Sequence, residues 1–305
     1  MITKHLYKGR TWIDLDHPTI DEVKEIMTTY EIDPLVAHEL TSPTPKPKIE
    51  LHRNYIYAIF HFPAFKHSHK DGSTLQEVDF IIGKTFIITS RYDTVDALLH
   101  AGKVFEVDSI LNKKTADHAS GSLFFRLARE LYNGLFDELS YIEDWISDIE
   151  SRIFKGKEKE MVITLSEVSR DLLDFKRAMD QHETLLRSLK NAGSKILGDD
   201  FAFHISAIIG EYRKITDSMN SSIALVSELR ETNNSLLSNK QNEQIRVITI
   251  FAFLVLPLSF IISLFQMELL STPIKGTSGD FWIILFFLLV IGIGEYVFFK
   301  YKKWL

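Results

Sequence analysis

The sequence predicts an α+β membrane protein. It reads as a cytoplasmic α/β domain over residues 1–118, a helical region with a long stalk helix over 119–246, and two transmembrane helices at 247–267 and 281–301, joined by an external loop at 268–280. Three observations predict this. Short β-rich segments with turn signals open the chain, long stretches of three- and four-residue apolar spacing fill its middle, and two apolar runs of membrane length close it.

The β-rich segments are "TWIDL" at 11–15, "YIYAIFHF" at 55–62 and "VDFIIGKTFIITS" at 78–90, the last with Gly83 and Lys84 as a hairpin turn. Between the first two lies a helical pattern, "TIDEVKEIMTTYE". Thr19 is its candidate N-cap and Glu22 stands three residues on, the spacing of a capping box. The stretch "TSPTPKPKIE" at 41–50, with Pro43, Pro45 and Pro47, reads as an extended loop.

After Ser120 the texture becomes helical. "SLFFRLARELYNGLFDELSYIEDWISDIESRIF" repeats apolar residues every three or four positions, and two further helical patterns span 158–192 and 200–246. The last enters the first apolar run without a proline or turn cluster between them. A helix continuous over 201–267 is roughly 100 Å long at about 1.5 Å per residue, and needs neighbours along its length, from this chain or from identical subunits.

The first apolar run, "VITIFAFLVLPLSFIISLFQM" at 247–267, carries no charge and has about the 20 residues a spanning helix needs. Pro257 inside it breaks a soluble helix but is tolerated in a membrane helix, where neighbours satisfy the freed carbonyl. The second run, 281–299, has one charge, Glu295, with Trp282 and Tyr296 near its ends, where interfacial aromatics belong. Lys240 and Arg246 flank the first span and Lys300, Lys302 and Lys303 follow the second, whereas the loop between them has Lys275 alone. The positive-inside rule therefore puts both termini in the cytoplasm, as a multi-pass protein of the cell membrane with the lipid bilayer as partner.

Composition narrows the function. The 305 residues are 25% charged and 45% hydrophobic, with a formal net charge of −6 and no basic run interleaved with aromatics, which argues against nucleic acid as a partner. No cysteine is present, so disulfides, thiolate metal sites and thiol nucleophiles are excluded. The N-terminal "MITKHLYKGRTWIDLD" has no apolar core of signal-peptide length, so a cleaved signal is not expected. Without a phosphate-cradling glycine loop, a nucleophile elbow or a metalloprotease helix motif, an enzyme is not expected either, nor an organic cofactor.

A polar stripe runs along the long helix. Stepping back from Gln266 by three and four residues meets Ser263, Ser259, Leu256, Ala252, Thr249, Ile245, Asn242, Ser238, Ser235 and Glu231. In the apolar run this face is small or polar apart from Leu256. Two readings stand side by side. Either these are small residues at a helix contact, with hydroxyls bonded back to their own carbonyls, or several copies line an aqueous path with Leu256 and Ile245 as its constrictions. The second reading requires a ring of subunits, because two spans cannot enclose a pore.

These segments resemble the CorA family of divalent-cation (magnesium and cobalt) channels over nearly the whole chain. "EVDFIIGKTFIITS" is similar to the family's central hairpin and "SLFFRLARELYNGLFDELSYIEDWISDIESRIF" to its first long helix. "VLPLSFIISLFQM" is similar to its first span with the proline in place, and "YKKWL" to its basic tail. The resemblance implies a homopentamer in which the stalk helix becomes the pore-lining first span. Asn242, Ile245, Thr249, Ala252, Leu256, Ser259 and Ser263 would then line the pore, and Mg2+ would be the transported and also a regulatory ion. Glu231 stands where the family places an acidic residue that binds the regulatory cation between subunits.

The chain departs from the family at the external mouth. The family's Gly-Met-Asn signature is replaced by Gln266, Met267 and Glu268, and only Met267 matches. The following "LLSTPIKGTSGD" also lacks the family's acidic cluster. A ring of Glu268 carboxylates attracts cations strongly and binds divalent ones, whereas a Glu268 that merely ends a helix in water leaves a non-conducting relative. The readings to separate are thus a magnesium or cobalt channel, a zinc-transporting relative and a pentameric scaffold without flux. Outside this region, His61, His67 and His69 form a His-rich segment that either gathers a metal or is a solvated loop.

Overall fold

The computed structural model of the chain describes residues 1–7, 10–64, 75–110, 120–266 and 279–302. They divide into two compact units, Met1–Arg230 and Glu231–Leu305. The first unit contains a six-stranded sheet built from β1 (Ile2–Tyr7), β2 (Arg10–Asp16), β3 (Lys48–Leu51), β4 (Tyr55–Pro63), β5 (Leu75–Gly83) and β6 (Phe86–Arg91). Its strand order is β1-β2-β6-β5-β4-β3, antiparallel throughout except where β2 pairs with β6. The hairpin read from Gly83 and Lys84 is the β5–β6 pair, with Ile81 opposite Ile88.

Both faces of the central strands are buried, so β4 reads as a nearly continuous apolar run, whereas β5 buries Gln76, Glu77 and Asp79 among its apolar residues. One face presents Ile13, Leu15, Tyr57, Ile59, Ile81 and Ile88 to two helices, α1 (Ile20–Tyr30) and α2 (Pro34–Glu39). The α1 helix begins as its sequence predicts. The Glu22 N–H donates to the Thr19 hydroxyl at 3.3 Å and the Thr19 N–H donates to the Glu22 carboxylate at 2.8 Å, which satisfies two orphan amides at once.

The other face is covered by helices. They are α3 (Asp96–Ile110), α4 (Ser120–Phe154), α5 (Glu158–Met179), α6 (His182–Leu197) and the start of α7 (Asp199–Gln266). Phe80 of β5 meets Phe124 of α4 edge-on at 5.3 Å between ring centroids, and Phe124 meets Phe201 of α7 at 5.8 Å. Polar side chains on this face are paired. The Trp12 indole donates to the Thr89 hydroxyl at 3.0 Å, that hydroxyl donates to Asp14 at 2.6 Å, and Arg91 donates to Asp14 at 3.1 Å.

The helical pattern over 158–192 is not one helix but two, α5 and α6, interrupted at Asp180 and Gln181. Both of those residues keep near-helical dihedrals, so the apolar spacing of Phe175, Met179, His182, Leu186 and Leu189 stays in phase across the break. Conversely, α7 is one helix of 68 residues that starts in the first unit, ends in the second and passes through Pro257.

In the second unit the last part of α7 lies beside α8 (Asp280–Tyr301). Phe253 and Phe299 meet at 6.3 Å, and Ile250 and Phe299 are buried between the helices. Both helices are long and apolar enough to cross a membrane, and their apolar windows are almost wholly exposed within the chain. That is the arrangement expected of a lipid-facing hairpin whose backbone bonds are all internal.

Candidate functional site

The stripe residues lie on α7 as the periodicity requires, because an uninterrupted helix keeps positions three and four apart on one face. Asn242, Ala252, Ser259, Ser263 and Gln266 are exposed, as are Ile245 and Leu256, while Thr249 is half-buried. The stripe lies away from α8. Leu258 and Ile262 of α7 line an apolar groove of about 410 Å³ with Leu285, Leu289, Gly292 and Tyr296 of α8. At about 100° per residue, Ile250, Leu258 and Ile262 sit roughly 120–160° from Leu256 around the helix. The sequence reading did not single out this α8-facing side, although the four-residue spacing of Ile250, Leu254, Leu258 and Ile262 was available to show it.

The hydroxyl geometry in the stripe is specific. Thr249 Oγ1 donates to the Ile245 carbonyl at 2.7 Å and Ser263 Oγ donates to the Ser259 carbonyl at 2.9 Å. Each hydroxyl has one hydrogen, and it is committed to the helix's own backbone. What the oxygen still offers is its lone pairs. Such a group accepts hydrogen bonds from the water around a cation and cannot donate to an anion. The same bond also lowers the penalty for holding a hydroxyl among apolar neighbours.

Gln266, expected at an external mouth, is the last residue of α7 and is exposed. Met267 and Glu268 lie outside the described residues, as do His67 and His69. Glu231 is exposed on α7, and among the described residues no three His, Asp or Glu side chains gather to hold a metal ion. His61 lies in β4 rather than in a loop. Its Nε2 lies 2.9 Å from the Thr44 carbonyl and 3.1 Å from Glu77.

Comparison with known proteins bears on this site. A family model described as "CorA-like Mg2+ transporter protein" matches residues 7–302. The chain is 26% identical over 299 residues to a cobalt/magnesium transport protein CorA of Thermotoga maritima, covering 97% of this chain and 83% of that protein. It is 25% identical over 232 residues to a zinc transport protein ZntB of Yersinia enterocolitica, covering 72% of this chain and 68% of that protein. Among solved structures, the CorA magnesium transporter of Methanocaldococcus jannaschii superposes with a TM-score of 0.85 at 15% identity, covering 100% of this chain and 98% of that one. The family match over nearly the full length, on a fold with two apolar C-terminal helices, leads to one conclusion: the chain belongs to the CorA-like Mg2+ transporter family.

Proposed function

We propose that the protein is a homopentameric channel for divalent cations in the cell membrane, with both termini cytoplasmic and with magnesium as its principal ion and cobalt as a second. The observation that carries this reading is the stripe of small and polar residues on α7, which is exposed at Asn242, Ala252, Ser259 and Ser263 and half-buried at Thr249. A ring of copies of that face around an axis is a path lined by acceptors, with Leu256 and Ile245 as its narrow apolar rings. Membership in the family supports the same assignment. In this reading Asn242 lines the cytoplasmic entrance, Gln266, Met267 and Glu268 form the external mouth, and Glu231 is a regulatory cation ligand at the subunit boundary.

A second reading, zinc transport, is favoured by the similarity to a zinc transport protein over 72% of the chain. One experiment separates the two. The purified full-length protein is reconstituted into liposomes and uptake of magnesium, cobalt and zinc is measured under matched gradients. Magnesium or cobalt uptake above that of empty liposomes supports the first reading and zinc uptake alone the second, while no uptake of any of the three leaves a pentameric scaffold without flux.

A further inference from the structure

On the sheet face that α1 and α2 cover, apolar residues give way at one end to acids. Asp79 of β5 stands opposite Ile59 of β4 and Ser90 of β6, and Glu77 stands opposite His61. Asp79 is fully buried and Glu77 is 8% exposed. Above them lies the proline-bearing segment 40–47, which pairs with no strand and is held by side chains.

Glu77 is well supplied with donors. Its carboxylate accepts from the Thr44 N–H at 2.7 Å, the Thr44 hydroxyl at 3.1 Å and His61 Nε2 at 3.1 Å. Asp79 is not. Its Oδ2 lies 3.1 Å from the Tyr92 hydroxyl, which also lies 3.2 Å from the Glu39 carbonyl, and a phenol has one hydrogen for two acceptors. Asp79 Oδ1 receives no donor, and the buried Tyr57 hydroxyl nearby has no partner either. Asp79 and Glu77 stand two residues apart on the same face of β5, so two carboxyls crowd one buried site.

The cluster is therefore one hydrogen short. Lys48 does not fill the gap. Lys48 is committed to Glu39 and Glu50 at 2.8 Å each, and the described residues contain no metal-holding group. The charged and titratable groups facing Asp79 are Glu39 of α2, Lys48 of β3, Tyr57 and His61 of β4, Glu77 of β5, and Tyr92 beyond β6. Burial and then the charge of Glu77 push the Asp79 carboxyl well above the usual carboxylate range. Burial and the nearby Asp79 push the hydroxyls of Tyr57 and Tyr92 upward too, so neither surrenders its own proton.

We propose that one proton held on Asp79 latches segment 40–47 onto the sheet. With the proton in place, Asp79 donates to Glu77 or to the Tyr92 oxygen, Tyr92 holds the Glu39 carbonyl, and Glu77 holds Thr44. When the proton leaves, two adjacent buried carboxylates repel and the segment is released, exposing the α2 end of the first unit. The latch thus closes on the acidic side of its midpoint and opens on the alkaline side.

Hydrogen exchange of the Thr44 amide in the full-length protein reads the latch directly, because that N–H is bonded to Glu77. After correction for intrinsic exchange, protection should fall about tenfold per pH unit as pH rises from the ordinary carboxylate range towards the midpoint, the slope for one linked proton, and should level off above it. Infrared spectroscopy on the same sample should show a protonated carboxyl band that disappears with the same midpoint. Asp79→Asn keeps the shape and cannot ionise, so its Thr44 protection should stay high and flat with pH. The proposal is overturned by Thr44 protection that does not change with pH, by protection that follows added Mg2+ rather than pH, or by an Asp79→Asn protein that keeps the wild-type pH slope. If Asp79→Asn does not fold, the two wild-type midpoints decide alone: separate midpoints, or no protonated band, sink the idea.

Discussion

His182 donates from Nε2 to the backbone carbonyl of His61 at 2.9 Å, and this bond fixes the state of a buried imidazole. A carbonyl only accepts, so Nε2 carries the hydrogen and Nδ1 is left to accept from the Tyr132 hydroxyl, 2.8 Å away. The ring joins the first turn of α6 to β4 and α4, and it is fully used as a neutral group. A second proton would reverse the Tyr132 bond, leaving the phenol hydrogen to find another acceptor, and place a charge among Phe60, Phe62 and Tyr212.

Acid should therefore weaken the first unit through His182. Burial lowers its pKa from 6.5 to about 4. The unfolded chain takes up this proton more readily than the folded one, so the stability is fully present above about 6.5 and is lost progressively as pH falls towards about 4. The loss is on the order of 3 kcal/mol from this group. Chemical denaturation at a series of pH values measures it, and His182→Gln, which accepts and donates without titrating, should flatten that part of the profile. An unchanged slope in His182→Gln would assign the acid sensitivity elsewhere.

Much of the fold was legible in the sequence, and the failures have physical causes. Strands β2, β4, β5 and β6 announce themselves by β-branched and aromatic runs, and α1 by Thr19 and Glu22 at capping-box spacing. Strand β3 was hidden because Lys48–Leu51 adjoins the prolines of the preceding loop and has no face of its own to bury. The α5–α6 break was hidden because Asp180 and Gln181 leave the apolar phase intact. At the site, periodicity located the α7 face but not the direction of the Thr249 and Ser263 hydrogens, which depends on backbone carbonyls rather than on side-chain type. The acid pair Glu77 and Asp79 went unread, although its alternation with Ile81 places both inward.

The turn between α6 and α7 makes Gly193 intolerant of a side chain. A Cβ there would run into the ring of Phe201, which is itself 1% exposed and packed on Phe124. Gly193→Ala should therefore destabilise the protein by about 1–3 kcal/mol through overpacking, less the ~1 kcal/mol that alanine gains in helix propensity. Phe201→Leu should recover part of that loss in the double variant. Additive losses in denaturation of the double variant would show that the two residues do not share this space.

The Thr19 cap offers a smaller, cleaner effect. Thr19→Ala removes the acceptor for the Glu22 N–H but keeps the backbone N–H that donates to the Glu22 carboxylate, and should lower stability by about 1 kcal/mol. Thr19→Ser should restore most of it. Equal melting of wild type and Thr19→Ala would mean that water satisfies the amide as well as the hydroxyl does.

The α7 stripe predicts a pattern of chemical access. Asn242→Cys, Thr249→Cys, Ser259→Cys and Ser263→Cys should react with a small charged thiol reagent or cross-link between subunits in the membrane. Phe253→Cys should be protected, since Phe253 packs against Phe299 of α8, and Phe260→Cys, on a lipid-facing flank, should be protected as well. Equal protection of all six positions would favour the alternative in which the small residues are a dry helix contact.

In the proposed channel Glu268 stands at the external mouth, where the family signature has a neutral asparagine. A ring of carboxylates about one axis is self-repelling, and a cation among them relieves the repulsion by attracting every member at once. A divalent ion does so with twice the charge of a monovalent one, and the difference grows in a partly desolvated mouth, where the effective dielectric constant is below that of water. The ring should therefore concentrate divalent cations, and uptake should decline in acid as protons compete for the same oxygens. Glu268→Gln keeps the size and removes the charge, so in proteoliposomes it should lower divalent uptake and flatten the acid dependence together. Two losses that move separately would mean that the pH dependence arises elsewhere, for instance at His182 or Asp79. Uptake identical to wild type at every pH would reduce Glu268 to a water-facing helix end and leave selection to Gln266 and the hydroxyl-bearing face below it.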